Sequence, residues 1–437
     1  MIKKLSTVKK KWRFTMRLKD WDTNLRIRLA AEASFNTMFW MFFPFLAIYF
    51  SEEFGKSKAG LLLVFSQIFS VAANLIGGYC ADRFGRKRMM VLSAAGQGLS
   101  FLVFGMAQSP WLDSPMLGFI CFALAGVFGS FYWPASQAMV ADLVPEKDRS
   151  EVFAVFYTSI NISVVVGPIL GSIFFVRYPF EVLLVSGFIG LLLSFVLLKW
   201  IRETRPSASS DAKTRRNSWH SAIVGQFKDY GVIMSDKIFL LFIIAGIVVA
   251  QTFMQLDLLF PVYMKEFVGT QTVLSFGDWA FKVNGEQAFG LILSENGLLV
   301  ALFTVFVTRW VTKYKEQHVF IASSILFAIS IVLFGQTVWI WGLIFAMAIF
   351  TLGELATAGV QQGFVSKLAP EHLRGQYFAA ASLRYTIGRT IAPLSIPLTE
   401  WIGYNWTFAT LGFLSLLSAV LYWLTFRIYD KQKAVTG

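Results

Sequence analysis

The chain is 437 residues long, 56% hydrophobic and 15% charged, whereas a soluble protein of this size carries about a quarter charged residues. That balance excludes an ordinary soluble enzyme, and it supplies enough apolar sequence for twelve helical crossings of about 20 residues each. A formal net charge of +13 would suit a nucleic-acid partner, but the cations are placed as membrane topology requires.

In chain order, residues 1–26 form a basic segment, and the apolar run after them is too long for a signal-peptide core, so it is expected to stay in the membrane. Apolar runs near 27–50, 59–81, 89–108, 116–141, 152–174, 180–200, 238–264, 287–309, 318–336, 338–365, 377–399 and 404–426 predict twelve spans, numbered 1 to 12 below. With the N-terminus cytoplasmic, 32 of the 39 Lys and Arg residues fall in inner segments or at the span ends that border them, Arg384 and Arg389 lie within span 11, and Lys56, Lys58, Arg177, Lys265 and Lys282 fall outside. The positive-inside rule then places both termini in the cytoplasm of a multi-pass cell-membrane protein. The expected organisation is a six-helix half over 27–201, a cytoplasmic linker over 202–237, a second half over 238–428 and a tail over 429–437. Within the linker, Trp219, Ile223, Phe227, Tyr230 and Met234 recur at helical spacing, which predicts an amphipathic helix on the inner membrane surface. Cys80 and Cys121 sit in spans that carry them toward opposite faces, so no disulfide is expected.

The halves share sequence. An offset of 225 takes Gln137 to Gln362, Val140 to Val365, Leu143 to Leu368, Pro145 to Pro370, Arg149 to Arg374, Phe153 to Phe378 and Pro168 to Pro393 without a gap. Phe43-Pro44 in span 1 finds Phe260-Pro261 in span 7 at an offset of 217, so the extra residues belong to the external loop 266–286. Such a duplication predicts two pseudo-symmetric six-helix halves with a site between them near the midplane, an architecture of transporters. The fold class expected is an all-α membrane protein.

Between spans 2 and 3 the chain reads Gly78-Tyr79-Cys80-Ala81-Asp82-Arg83-Phe84-Gly85-Arg86-Lys87-Arg88. Gly78 would let a neighbouring helix approach, Gly85 permits a tight turn, and Asp82 can pair with Arg83 or Arg86 or face a partner helix's N-terminus. The run resembles the major facilitator superfamily signature G-x-x-x-D-R-x-G-R-K at every position. In span 5, Gly167-Pro168-Ile169-Leu170-Gly171 resembles the drug/proton antiporter motif G-x-x-x-G-P-x-x-G-G, with Ser163 and Ser172 in place of its first and last glycines. The entry Trp21-Asp22-Thr23-Asn24-Leu25-Arg26-Ile27-Arg28-Leu29 is similar to that of proton-coupled multidrug exporters of Gram-positive bacteria. The resemblance implies the major facilitator fold and a conformational latch of Asp82, Arg83 and Arg86 with span 11 and with Asp142. The corresponding stretch of the second half, Thr312-Lys313-Tyr314-Lys315, lacks the acid and the glycine turn.

A charge at the bilayer centre costs at least about 2.5 kcal/mol, so carboxylates there point to function. Glu32, Asp257, Glu295 and Glu354 lie within spans 1, 7, 8 and 10 and are candidates for proton coupling, as is Asp142 at the inner end of span 4. The resemblance favours Asp142 and Glu354. Arg384 and Arg389 in span 11 are the candidate charge partners, with Glu354 expected to pair with one of them. Polar and aromatic residues expected to face a substrate cavity are Asn36, Trp40, Trp133, Tyr157, Asn161, Gln251 and Gln255. His220, His318 and His372 stand apart, and no metalloprotease, nucleophile-elbow or nucleotide-binding motif is found, so neither enzymatic activity, a cofactor nor a metal is expected. The expected partners are a small-molecule substrate, protons and the lipid bilayer, with no nucleic acid, and one chain holding both halves is expected to work as a monomer. The function expected is export of hydrophobic or cationic small molecules in exchange for protons by alternating access. The alternatives are transport of one endogenous amphiphile or polar solute, as a flippase or importer, and a non-transporting membrane sensor.

Overall fold

A computed structural model describes residues 21–204, 235–358, 360–370 and 374–436, and the aromatic stripe read in the linker lies outside them. Among the described residues eleven helices are long and apolar enough to cross a membrane. The last of these, Ala380–Ala434, passes through a non-helical Gly403 at φ 80°, which divides it into two crossings and gives twelve.

Span 1 is α1 (Thr23–Phe42) and α2 (Leu46–Phe54), joined by a 3-10 turn at Phe43–Phe45. Spans 2 to 6 are α3 (Lys56–Phe84), α4 (Arg86–Ala107), α5 (Pro115–Leu143), α6 (Glu146–Phe174) and α7 (Pro179–Trp200). Span 7 is α8 (Lys237–Phe253), a 3-10 turn at Met254–Asp257 and α9 (Leu259–Phe267). Spans 8 and 9 are α10 (Gly285–Val311) and α11 (Glu316–Gln336), and span 10 is α12 (Ile340–Ala358) with α13 (Val360–Leu368). Span 11 is α14 (Arg374–Ile391), a 3-10 turn at Ala392–Leu394 and the first part of α15 (Ser395–Thr436), whose remainder is span 12.

Prolines accompany the breaks in spans 1, 7 and 11, whereas Pro168, the counterpart of Pro393, lies inside an unbroken α6. Proline removes the amide that would bond four residues back, and the three 3-10 turns sit at Pro44, just before Pro261 and at Pro393. The loop between spans 7 and 8 is more than a connection: β1 (Gln271–Phe276) and β2 (Trp279–Val283) form an antiparallel hairpin closed by Gly277 and Asp278, with Gly277 at φ +59°. A Gly-Asp pair between runs rich in β-branched and aromatic residues is the local signal for such a turn.

The cores show how the halves meet. One buried cluster joins Phe42, Phe45, Phe50, Phe101 and Phe104 of the first half to Phe260, Phe289, Phe334 and Phe350 of the second. The remaining clusters each stay within one half: Phe239, Phe242, Phe320 and Phe364 in the second, Met90, Ala94, Met139 and Leu197 in the first, and Trp21, Leu25, Val140 and Phe156 also in the first. The halves are therefore fused at the end of the bundle that bears the hairpin, the far face, and separate toward the end that bears both termini, the terminal face. Outward-pointing Phe65, Phe188, Phe306, Phe345 and Phe413 are exposed on the perimeter, as a bilayer solvent demands.

Candidate functional site

At the terminal face, α3 ends at Gly85, whose φ of +102° starts α4 at a sharp angle. Arg86 is the hub. Its Nη1 lies 2.8 Å from Asp82 Oδ1, its Nε 3.2 Å from Asp142 Oδ2, and it also donates to the Ala81 carbonyl. Asp142 therefore joins the charged turn as expected, and Thr204 donates to the same carboxylate at 3.2 Å. Contrary to expectation, among the described residues no ion pair or hydrogen bond joins Asp82 or Arg86 to span 11. Arg83 donates to the Tyr79 hydroxyl at 2.6 Å. Sequence reasoning missed Glu203, whose carboxylate accepts from the Arg86 and Lys87 amides at 2.9 and 3.2 Å and so caps α4. Gly78 also needs correction: a Cβ there meets open space, whereas at Gly77 it would stand 3.1 Å from the Ser130 carbonyl, so Gly77 is the contact with span 4.

Within the first half, Glu32 is held through its Oε1. Arg28 Nε lies 2.8 Å from its Oε1, Tyr132 donates to it at 2.5 Å and Ser136 at 3.4 Å, while Arg28 Nη1 donates to the Ser136 carbonyl at 2.7 Å and its guanidinium covers the Phe156 ring. Arg28, read from sequence only as part of the entry segment, is 1% exposed. The span 5 motif packs against span 1: a Cβ at Gly167 would stand 2.5 Å from Trp40 Cβ, Gly171 abuts Met41 and Phe45, and Ser163 shares a 3.1 Å hydrogen bond with Thr37. Pro168 lends its carbonyl to a close approach by Gly290 of span 8.

Between the halves lies a chamber of about 40 Å³, lined by Leu63 and Gln67 of span 2, Asp257 of span 7 and Arg389 and Pro393 near the break in span 11. Asp257 Oδ1 is buried without a hydrogen-bond partner among the described residues, and Arg389 is within electrostatic reach of it. A second cavity of about 550 Å³ takes Tyr157 from span 5 and otherwise belongs to the second half, with Glu354, Gln361, Arg384 and Tyr385 on its wall.

Among the described residues no ion pair joins Glu354 to an arginine, contrary to expectation. Glu354 Oε2 instead accepts from Asn296 Nδ2 at 3.0 Å, and that amide also donates to Thr351 at 3.0 Å. Arg384 runs over Gly246, where an added Cβ would stand 2.8 Å from its Cδ, and its guanidinium lies 5.5 Å from the Phe242 ring and 5.0 Å from that of Tyr385. The missing side chain at position 246 thus draws Arg384 toward span 7 and away from a carboxylate. Glu295 is half-buried, with Oε2 unpartnered among the described residues, and lines neither cavity.

Of the seven residues expected to face substrate, Tyr157 alone lines the larger cavity. Gln251 and Gln255 stitch span 7 to span 11 instead. Gln251 donates to the Gly388 carbonyl at 3.3 Å, and Gln255 donates to the Ala392 carbonyl at 3.4 Å and accepts from Ser395 at 2.6 Å. Proline at 393 breaks the regular helical ladder there, and the two amides supply bonds across it. Asn161 donates to the Tyr157 carbonyl, Trp40 is held against Gly167, Asn36 is half-buried outside the cavity wall, and Trp133 is half exposed outside it as well.

A charged clamp not anticipated from sequence closes the far face. Both oxygens of Glu400, in the turn between spans 11 and 12, accept from the first amides of α3, those of Lys56 and Ser57, at 3.1 Å each. Lys56 Nζ lies 2.6 Å from Glu266 Oε2, to which Tyr404 also donates at 2.6 Å, and Lys265 bonds Glu286 and approaches Glu52 at 3.7 Å. Every one of these contacts except Tyr404–Glu266 and Lys265–Glu286 joins one half to the other. The hydrogen bond from Lys265 to Glu286 is also the main cause that raises the lysine pKa above 10.5.

Twelve apolar spans in two related halves, fused at one face and parted at the other around buried carboxylates, define a membrane transporter. The Major Facilitator Superfamily model matches residues 29–281 and 268–437, and the chain belongs to that superfamily. A Na(+), Li(+), K(+)/H(+) antiporter of Planococcus maritimus is 56% identical to it over 419 residues, which are 95% of this chain and 99% of that protein. The multidrug resistance protein MdtH of Salmonella choleraesuis (strain SC-B67) is 22% identical over 374 residues, 85% of this chain and 83% of that one. Among solved structures, a POT family transporter in complex with 5-aminolevulinic acid superposes with a TM-score of 0.73 at 16% identity, over 94% of this chain and 99% of that one, which establishes the shared fold. The chain is a multi-pass membrane transporter and not an enzyme.

Proposed function

We propose that this transporter exchanges protons for monovalent alkali cations by alternating access, with the terminal face cytoplasmic as the distribution of Lys and Arg indicates. The observation that carries the reading is the 56% identity, nearly end to end, with a Na(+), Li(+), K(+)/H(+) antiporter. Glu354 is the group assigned to the exchange. Its carboxylate stands on the wall of the larger cavity, a hard oxygen ligand of the kind an alkali cation takes, and the Asn296 amide holds it in place by donating to its Oε2. A proton and a cation neutralise the same carboxylate, so each displaces the other, which is the condition for antiport. Asp257 in the central chamber lies within electrostatic reach of Glu354 and serves as the second acid on the route. Asp82, Arg86 and Asp142 hold the terminal face of the first half as one body while the halves rock.

The test uses everted vesicles energised by respiration, with a fluorescent pH probe reporting proton release on addition of Na+, Li+ or K+. Wild type should release protons with all three cations. Glu354→Gln and Asp257→Asn should lower the rate at least about tenfold, a loss of ~1.4 kcal/mol or more in the barrier, with unchanged protein levels. Equal rates in wild type and Glu354→Gln vesicles would overturn the assignment.

A second reading, export of hydrophobic or cationic compounds, is favoured by the cavity of about 550 Å³, a volume in the range of small-molecule sites, and by the likeness to MdtH. Uncoupler-sensitive efflux of ethidium or Hoechst dye from cells expressing the chain distinguishes it. Efflux without cation-stimulated proton release would replace the first reading by the second.

A further inference from the structure

The larger cavity is far bigger than an alkali ion requires, and one of its charges has no counterpart. Arg384 is 2% exposed, its Nε and Nη1 lack hydrogen-bond partners among the described residues, and no carboxylate oxygen lies within 4 Å of it among the ion pairs. Leaving a buried charge uncompensated is strongly unfavourable, so such a group is held for a partner that arrives from outside. Glu354 shares the cavity but is occupied by Asn296. The guanidinium carbon lies 5.5 Å from the Phe242 ring centre and 5.0 Å from that of Tyr385, and its unpartnered Nε and Nη1 are donors that fit a carboxylate. The cavity it lines also offers aromatic walls, Phe253, Phe320 and Phe327.

We infer that Arg384 is the anion-binding residue of a subsite for small aromatic carboxylates, the carboxylate meeting the guanidinium and the ring lying against the phenylalanine wall. The subsite is independent of the cation exchange proposed above, because it would stand whatever ion Glu354 exchanges. An aromatic body is required as well as the charge, since the walls around Arg384 are apolar and a bare inorganic anion would leave them unfilled.

The experiment uses the full chain in lipid nanodiscs at constant ionic strength, with 1-naphthoate, its neutral analogue 1-naphthylmethanol, acetate and chloride as probes. Saturable binding is read from tryptophan fluorescence and from the rise in unfolding temperature. Wild type should bind 1-naphthoate at least about tenfold more tightly than the neutral analogue or acetate. Arg384→Gln should abolish that preference while binding the neutral analogue as before, and Arg384→Lys should restore part of it. Because the comparison of naphthoate with naphthylmethanol is made in wild type, equal binding there overturns the inference even where Arg384→Gln fails to fold, and a weakened preference in Arg384→Lys then ties it to this residue. Equal binding of the two naphthalenes overturns the inference, as does a chloride affinity matching that of naphthoate or an unchanged naphthoate preference in Arg384→Gln. Failure here would leave cation-stimulated proton release untouched, and failure of that exchange would leave the naphthoate preference to be measured.

Discussion

Gly171 shows how little room the junction of spans 1 and 5 leaves, since an added Cβ would meet both the Met41 backbone and the Phe45 ring. Gly171→Val should therefore destabilise the purified protein by about 1–3 kcal/mol, the usual penalty of overpacking, read as a lower unfolding temperature. Gln255 makes the corresponding point for a polar side chain. Gln255→Leu would leave the Ser395 hydroxyl and the Ala392 carbonyl short of a partner and should cost about 1–3 kcal/mol in the same measurement. The sequence places Gly167 and Gly171 four residues apart and so on one helix face, the one that span 1 covers. It marked Gly78 in place of Gly77 and assigned Gln255 to a cavity for a common reason: which direction a residue faces depends on where the neighbouring helix lies, and one helix's pattern does not contain that position. Arg28 was hidden differently, because its place near a basic terminus made it look like a topology signal, while the four-residue step to Glu32 was the available clue.

Among the elements, the N-terminus of α3 is the most informative, because a residue from the other half caps it. Glu400→Gln keeps the shape of the cap and removes its charge, so the first-turn amides of α3 should exchange hydrogen faster than in wild type. Glu400→Ala should have the larger effect, with a loss of about 1 kcal/mol typical of a missing cap. The Lys265–Glu286 bond predicts a pH dependence of definite sign. The lysine pKa is raised above its ordinary 10.5, so its contribution is complete at pH below that value and is lost as pH rises through the folded-state pKa. The difference in unfolding temperature between wild type and Lys265→Gln should accordingly stay constant from pH 7 to about pH 10 and shrink above it. The hairpin in the same region was legible only in its turn, Gly277-Asp278. Its strands are short, and with most of their side chains exposed they lack the alternation of a half-buried strand.

For the whole molecule, duplication was the readable feature, and divergence was the unreadable one. The duplication predicts two like halves, and the paired breaks at Pro44 and Pro261, related by the offset of 217, bear it out. Yet the first half buries its charges as an Arg28–Glu32 pair, while the second keeps Arg384 and Glu354 apart. The two sets do not stand at related places, since the offset of 217 takes Arg28 and Glu32 to Ala245 and Val249 and the offset of 225 relates Arg384 and Glu354 to Ser159 and Gly129, and Gly246 on span 7 makes space for Arg384 that no periodicity announces. One continuous rod connects the two faces: α3 runs 29 residues from Lys56 to Phe84, about 43 Å at 1.5 Å per residue. Its first turn is held by Glu400 of the other half, and its last leads into the turn that Arg86 ties to Asp142. In the alternating access proposed above, a rod of that length turning as one body swings its ends in opposite directions, so releasing one end from the second half carries the other toward it. On that proposal the two openings exclude each other by mechanics rather than by timing, and the gradient is not short-circuited.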